Sequence, residues 1–258
     1  MQLYMKYFAI HLKSQMQYKI SFFLTLLAQF LISFTEMLAI YFMFSRFNMI
    51  EDFTFEQTLL GYAVVLMAFS LAQTFVRGFD MFPHMLGNGE FDRALVRPRS
   101  TIFQVLALKM DFTRLGRLAQ AAVILFYALP NSGVVWTGDK ILTLILMIVS
   151  GSLIFSGLFI IYAAFSFFTI EGLEFMNILT DGGVIFGKYP FSIYGKGILG
   201  FLTFVVPLAL FQYYPLLYLL DRGQSAFFMF APLIGLWFLI PCYAFYRFGL
   251  RRYKSTGS

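Results

Sequence analysis

Apolar residues fall along this chain in runs of about twenty or more, separated by polar stretches, and that spacing predicts membrane-crossing helices. Residues 20–44 (ISFFLTLLAQFLISFTEMLAIYFMF) and 57–76 form the first two runs. A third helix begins near Ile102, carries Lys109, Asp111, Arg114 and Arg117 in its first turns, then stays apolar through Leu129. The fourth run covers 141–168, the fifth 197–220 with Pro207 and Pro215 inside it, and the sixth 227–246. Ahead of them, residues 2–18 mix Leu3, Met5, Tyr7, Phe8, Ile10 and Leu12 with Lys6, His11, Lys13, Gln15 and Gln17. That stretch is too polar to cross a bilayer. It suits an amphipathic helix lying in the membrane surface, basic face toward the headgroups.

Composition agrees. Of the 258 residues 60% are apolar or aromatic and 12% charged, half the charged fraction of a soluble domain. The expected fold is an all-α integral membrane protein with six transmembrane helices, filling residues 1–258 as a single domain. No room is left for a separate nucleotide-binding domain. The net charge of +6 does not point to nucleic acid, because the basic residues sit at the ends of apolar runs instead of in one patch. With the N-terminus inside, 16 of the 19 Lys and Arg fall in 1–19, 77–118, 169–196 and 247–258, leaving Arg46, Lys140 and Arg222 outside. The positive-inside rule therefore predicts both termini in the cytoplasm. Trp136, in the 131–140 turn, reads as an anchor at the outer interface, and 169–196 as a polar connector containing Glu171, Glu174, Asp181 and Lys188. Cys242 is the single cysteine and lies in an apolar run, and the N-terminus shows no signal-peptide pattern.

The longest polar stretch, 77–101, holds Gly87-Asn88-Gly89-Glu90-Phe91-Asp92-Arg93-Ala94-Leu95-Val96-Arg97-Pro98. The glycines make a turn, 90–96 has room for two helical turns, and Arg97-Pro98 closes them. Phe91 and Leu95, at i and i+4, share a face as an apolar knob with Asp92, Arg93 and Arg97 around it. Such a knob suits a groove on a soluble partner. By the residues alone, an ordinary charged loop is the plainer reading.

The pattern G-x-F-D-x-x-L-x-R-P, after two spans and an N-terminal amphipathic helix, resembles the permease subunits of type 2 ABC exporters. The similarity covers most of the chain and is closest to the branch of about 260 residues that pairs with a separate ATPase. It implies that the segment is a coupling helix seated in a cleft of that ATPase, with Gly89, Phe91, Asp92, Leu95, Arg97 and Pro98 matching the motif and Glu90 and Arg93 beside them. It also implies a bacterial cell-membrane location, a second permease subunit (identical or a paralogue), and ATP and magnesium held by two ATPase copies, with no cofactor in this chain. Tyr214-Pro215-Leu216-Leu217-Tyr218-Leu219-Leu220-Asp221 is similar to the family's short external helix before the last span. The expectation is a span of about 197–212 followed by a re-entrant helix at 213–222; one kinked span is the alternative.

Within the first span, Thr25, Gln29, Ser33 and Glu36 recur at i, i+4, i+8 and i+11 as one polar stripe. Glu36 is about 16 residues into the span, roughly 24 Å along the helix, where a carboxylate normally faces a bundle interior or an aqueous cavity. Two readings stand: a lining of the translocation path, or interhelical hydrogen bonding. Gly195–Gly200 (GKGILG) satisfies G-x-G-x-x-G but lacks the strand and flanking βαβ unit. Gly183–Lys188 is one residue short of a phosphate loop, with Tyr189 in place of Ser or Thr. His11 and His84 have no ligand-spaced companions, so no metal or catalytic site is expected. The reading is a permease subunit of an ATP-driven exporter that hydrolyses nothing itself. A gradient-driven secondary transporter is the alternative, though no internal repeat supports it.

Overall fold

The computed structural model describes residues 2–169, 176–223 and 225–254; among them the regular elements are helices, beside one isolated bridge between Ile50 and Phe53. Glu171 and Glu174 of the connector, and 255–258 of the tail, lie outside the described residues. Among the described residues five helical stretches are long and apolar enough to cross a membrane: Leu3–Arg46, Phe55–Phe75, Phe112–Asn131, Gly138–Phe165 and Phe227–Arg252. A bent pair, Phe191–Phe204 with Leu208–Leu219, makes a sixth if its arms count as one span. The chain is a multi-pass membrane protein.

The centre is α3 (Phe55–Phe75), which packs against both α7 (Leu115–Asn131) and α8 (Gly138–Phe165). Apolar residues occur on all its faces, and Leu60, Tyr62, Ala63 and Val64 are fully buried, as a helix surrounded by others requires. A capping box starts it: the Gln57 amide N–H donates to Thr54 Oγ1 while Gln57 Oε1 accepts from the Thr54 N–H. Small residues let neighbouring backbones close in. At Gly116 an added Cβ would meet the Leu26 carbonyl oxygen of α2 (Lys19–Arg46) at 2.0 Å.

The N-terminal helix α1 (Gln2–Gln15) turns through Met16–Tyr18 into α2. Tyr4, Tyr7, Phe8, His11, Leu12, Gln15 and Met16 repeat at helical spacing and form its half-buried stripe. The stripe packs on Met110 and Phe112 in an apolar cluster separate from the main core. Its two polar members meet backbone: His11 Nε2 lies 2.9 Å from the Ala107 carbonyl, and Gln15 bonds Met110 O and the Phe112 N–H. One face of this helix is thus fastened to protein.

Several expected boundaries shift. The helix predicted to run from Ile102 is broken, giving α6 (Thr101–Leu106), a non-helical step at Asp111, and α7. The Asp111 N–H donates to the Thr74 carbonyl at the end of α3, and its carboxylate caps Thr113. A tertiary bond and a cap have replaced helical bonds there. The connector 169–196 contains a helix of its own, α9 (Asn177–Phe186). The fifth run bends by 87° at 205–207, not at 213, between α10 (Gly195–Phe204) and the arm made of α11 (Leu208–Phe211) and α12 (Tyr213–Leu219). Pro207 stands at the bend, where its missing N–H and fixed φ favour a break. Leu208–Phe211 is buried whereas most of α10 is exposed, so the second arm belongs to the core. The last apolar run continues as α13 (Ala226–Gly235) and α14 (Leu239–Arg252).

Candidate functional site

The 77–101 segment folds into two short helices, α4 (Phe82–Gly87) and α5 (Glu90–Leu95), at the end of the bundle that also carries Arg114 and Arg251. Gly89 joins them with φ +70°, a left-handed conformation that glycine adopts without the Cβ penalty. Past the Arg97-Pro98 stop, Ser100 Oγ accepts from the Phe103 N–H and starts α6.

The expected knob of Phe91 and Leu95 is not present as such. Phe91 is 0% exposed and Ala94 3%, both turned inward, while Leu95 is 42% and Val96 84% exposed. Phe91 inserts among Phe82 (4.9 Å between ring centroids), Tyr253 (5.2 Å) and Phe167 (5.7 Å). An aromatic side chain gains more by joining that cluster than by standing in water. Beside it, the Tyr253 hydroxyl donates to Asp92 Oδ1 at 3.1 Å, and burial together with that carboxylate pushes the hydroxyl's pKa above its ordinary value. The outward surface is therefore Glu90, Arg93, Leu95, Val96, Arg97 and Pro98, mixed charged and apolar. Helical spacing pairs Phe91 with Leu95, whereas the most exposed apolar residue of the segment is Val96, one position beyond that pair.

The polar stripe of α2 divides. Thr25 is exposed and donates only to its own helix, at Ser21 O. Gln29 Oε1 accepts from Arg114 Nη1 at 3.0 Å, and the buried Ser33 donates to Gln29 O. Glu36 Oε2 accepts from the Tyr62 hydroxyl at 2.9 Å, and its other oxygen lies 3.6 Å from Lys188 Nζ. Three of the four thus face α3 and α7 or their surroundings, and one does not. No local pattern marks Lys188, which follows α9 and reaches Glu36 only through the fold.

Below this stripe two charge pairs form. Asp80 lies 3.2 Å from Arg77, and Asp111 3.2 Å from Arg114. Burial works to raise the Asp111 pKa, but the Thr113 hydroxyl and Arg114 hold its carboxyl below the usual range. At the opposite end of the bundle Lys140 and Arg222 are engaged as well. The nearly buried Lys140 pairs with Asp221 at 2.8 Å, and Arg222 donates to Asp52 O and Gln57 Oε1. These contacts tie the end of the bent arm to α8 and α3.

The glycine strings at 183–188 and 195–200 lie in and after helices, with no strand among the described residues to make a nucleotide site. No group of three or more His, Cys, Asp or Glu among the described residues is placed to hold a metal.

No curated protein and no solved structure matches the chain. A family profile described as ABC-2 family transporter protein matches residues 30–257. That match takes in the last five apolar runs, the first run from residue 30 on, the 77–101 segment and the bent arm. The chain belongs to the ABC-2 transporter family.

Proposed function

We propose that this chain is the permease subunit of an ATP-driven exporter, docked through its 77–101 segment to a separate ATPase and working beside a second permease subunit. The observation that carries the reading is the outward face of α5. Leu95, Val96 and Pro98 stand exposed beside Glu90, Arg93 and Arg97 at the basic end, held from behind by a buried Phe91. A charged rim around exposed apolar residues on a rigid platform suits a cleft on a soluble protein. The positive-inside bias puts that face in the cytoplasm, where ATP and magnesium are available to the partner. Thr25, Gln29, Ser33 and Glu36 remain the path-lining candidates on α2, Thr25 on its exposed face and the other three toward α3 and α7.

The test is co-purification. Val96→Asp with Arg97→Glu leaves the buried face untouched and should lower ATPase recovered with the permease by about tenfold, a 1.4 kcal/mol effect. Undiminished recovery removes the docking role. The Glu36–Lys188 pair gives a second reading some footing, because gradient-driven carriers also place ion pairs among their helices. Transport into vesicles that requires ATP and persists without an ion gradient decides for the exporter.

A further inference from the structure

We propose that Phe91 and Tyr253 form a mechanical joint, so that α5 moves as one body with the adjoining ends of α8 and α14 and slides against α1. The proposal rests on the coupling reading above and adds which spans receive the motion.

The ring set around Phe91 is drawn from distant parts of the chain. Phe82 comes from α4, Phe167 from just beyond α8, and Tyr246 and Tyr253 from the end of α14. The rings also meet one another: Phe82–Phe167 at 5.1 Å, Phe167–Tyr246 at 5.5 Å and Phe167–Tyr253 at 6.0 Å. Gly249 lets α14 close on Phe167, whose ring an added Cβ would meet at 2.6 Å. The Asp92–Tyr253 hydrogen bond adds a polar tie across the same contact. Interlocked aromatic packing resists small displacements, because cores shift between discrete arrangements and do not deform continuously.

Toward α1 the character of the contact changes. Phe91 and its cage belong to the main core, whereas the α1 stripe belongs to the separate cluster on Met110 and Phe112. Between the two clusters lies an open cleft of about 340 Å³. Tyr7, Ile10 and His11 line it on one wall and Glu90, Arg93 and Arg97 on the other. A push on α5 therefore meets interlocked rings on the α8–α14 side, and toward α1 an open cleft bordered by α6, which donates from Gln104 Nε2 to Ala94 O of α5 and meets α1 at Tyr7–Phe103. The joint is the stiff side.

Spin-label pairs on the complete transporter complex test this. The buried Cys242 is replaced (Cys242→Ala), and labels go on exposed positions as Asn88→Cys with Arg251→Cys, or Asn88→Cys with Lys13→Cys. Labelled chain is diluted with unlabelled chain, and distances are read without nucleotide and after ATP with vanadate. The expected result is a constant 88–251 distance and a changed 88–13 distance. A change in 88–251 as large as that in 88–13 overturns the joint, as does no change in either pair while the ATPase remains bound. Phe91→Ala should broaden the 88–251 distribution without releasing the ATPase. Tyr253→Ala, at the half-buried end of the chain, should do the same if Phe91→Ala does not assemble. An unbroadened distribution in an assembled variant also overturns the proposal. Failure of the coupling reading looks different: the Val96→Asp, Arg97→Glu chain keeps its full complement of ATPase.

Discussion

Glu36 and Lys188 offer a quantitative test of how α2 is held. Their charges lie 3.6 Å apart, with side-chain exposures of 31% for Glu36 and 15% for Lys188. At an effective dielectric of ~20 the direct attraction is about 4–5 kcal/mol, and desolvation offsets much of it. The Tyr62 hydroxyl, 2.9 Å from the other oxygen, also favours the charged acid over an amide. Glu36→Gln keeps the size, weakens that hydrogen bond and leaves Lys188 unpaired, so it should cost about 2 kcal/mol. Lys188→Met should cost a similar amount by stranding the carboxylate. The double variant should cost less than the two singles together by about 1–2 kcal/mol, the signature of direct interaction. Thermal unfolding in detergent, read by loss of monodisperse protein, ranks the four chains, at about 2–4 °C per kcal/mol for this size. Strict additivity would refute the pairing, and with it the claim that α2 is pinned to the end of α9 by charge. If additivity fails as expected, transport by the double variant then separates packing from path: unchanged transport assigns the pair to packing.

Gly116→Val should lower folded yield sharply, since even a Cβ would sit 2.0 Å from the Leu26 carbonyl and overpacking costs about 1–3 kcal/mol or more; fluorescence size exclusion of tagged protein checks it, and wild-type yield would mean α2 and α7 are not in contact there. Asp111 has a depressed carboxyl pKa, so its stabilisation is present above the unfolded value of about 3.8 and is lost as pH falls through the folded value below it. Asp111→Asn should therefore be less stable than wild type at pH 7, with the gap closing as the pH drops through that window in acid-unfolding curves; a gap constant with pH would show that the carboxylate's charge contributes nothing. Topology is checked by cysteine labelling in the Cys242→Ala background: Trp136→Cys should react from outside intact cells and Asn88→Cys only after permeabilisation. The reverse pattern would overturn the orientation and the docking argument together.

What the sequence determined by itself was the solvent. Twenty-odd apolar residues in a row cross the bilayer whether lipid or other helices surround them, so hydropathy finds the spans, and Gly89 and Pro98 set the limits of the 90–97 turn through local backbone constraints alone. The facing of side chains was decided by the tertiary structure. Phe91 looks like an exposed knob because its neighbours in the chain are charged; it is buried because Phe167 and Tyr253, far along the chain, are folded onto it. Likewise Asp111 breaks a helix because the Thr74 carbonyl at the end of α3 takes its N–H, and Glu36 gains Lys188 across 152 residues of chain. The 87° bend combines both levels. Pro207 permits a break, but only burial of Leu208–Phe211 against the core makes bending there better than continuing straight through the bilayer. Periodicity reports which residues share a face, and a face acquires a partner only when distant segments pack against it.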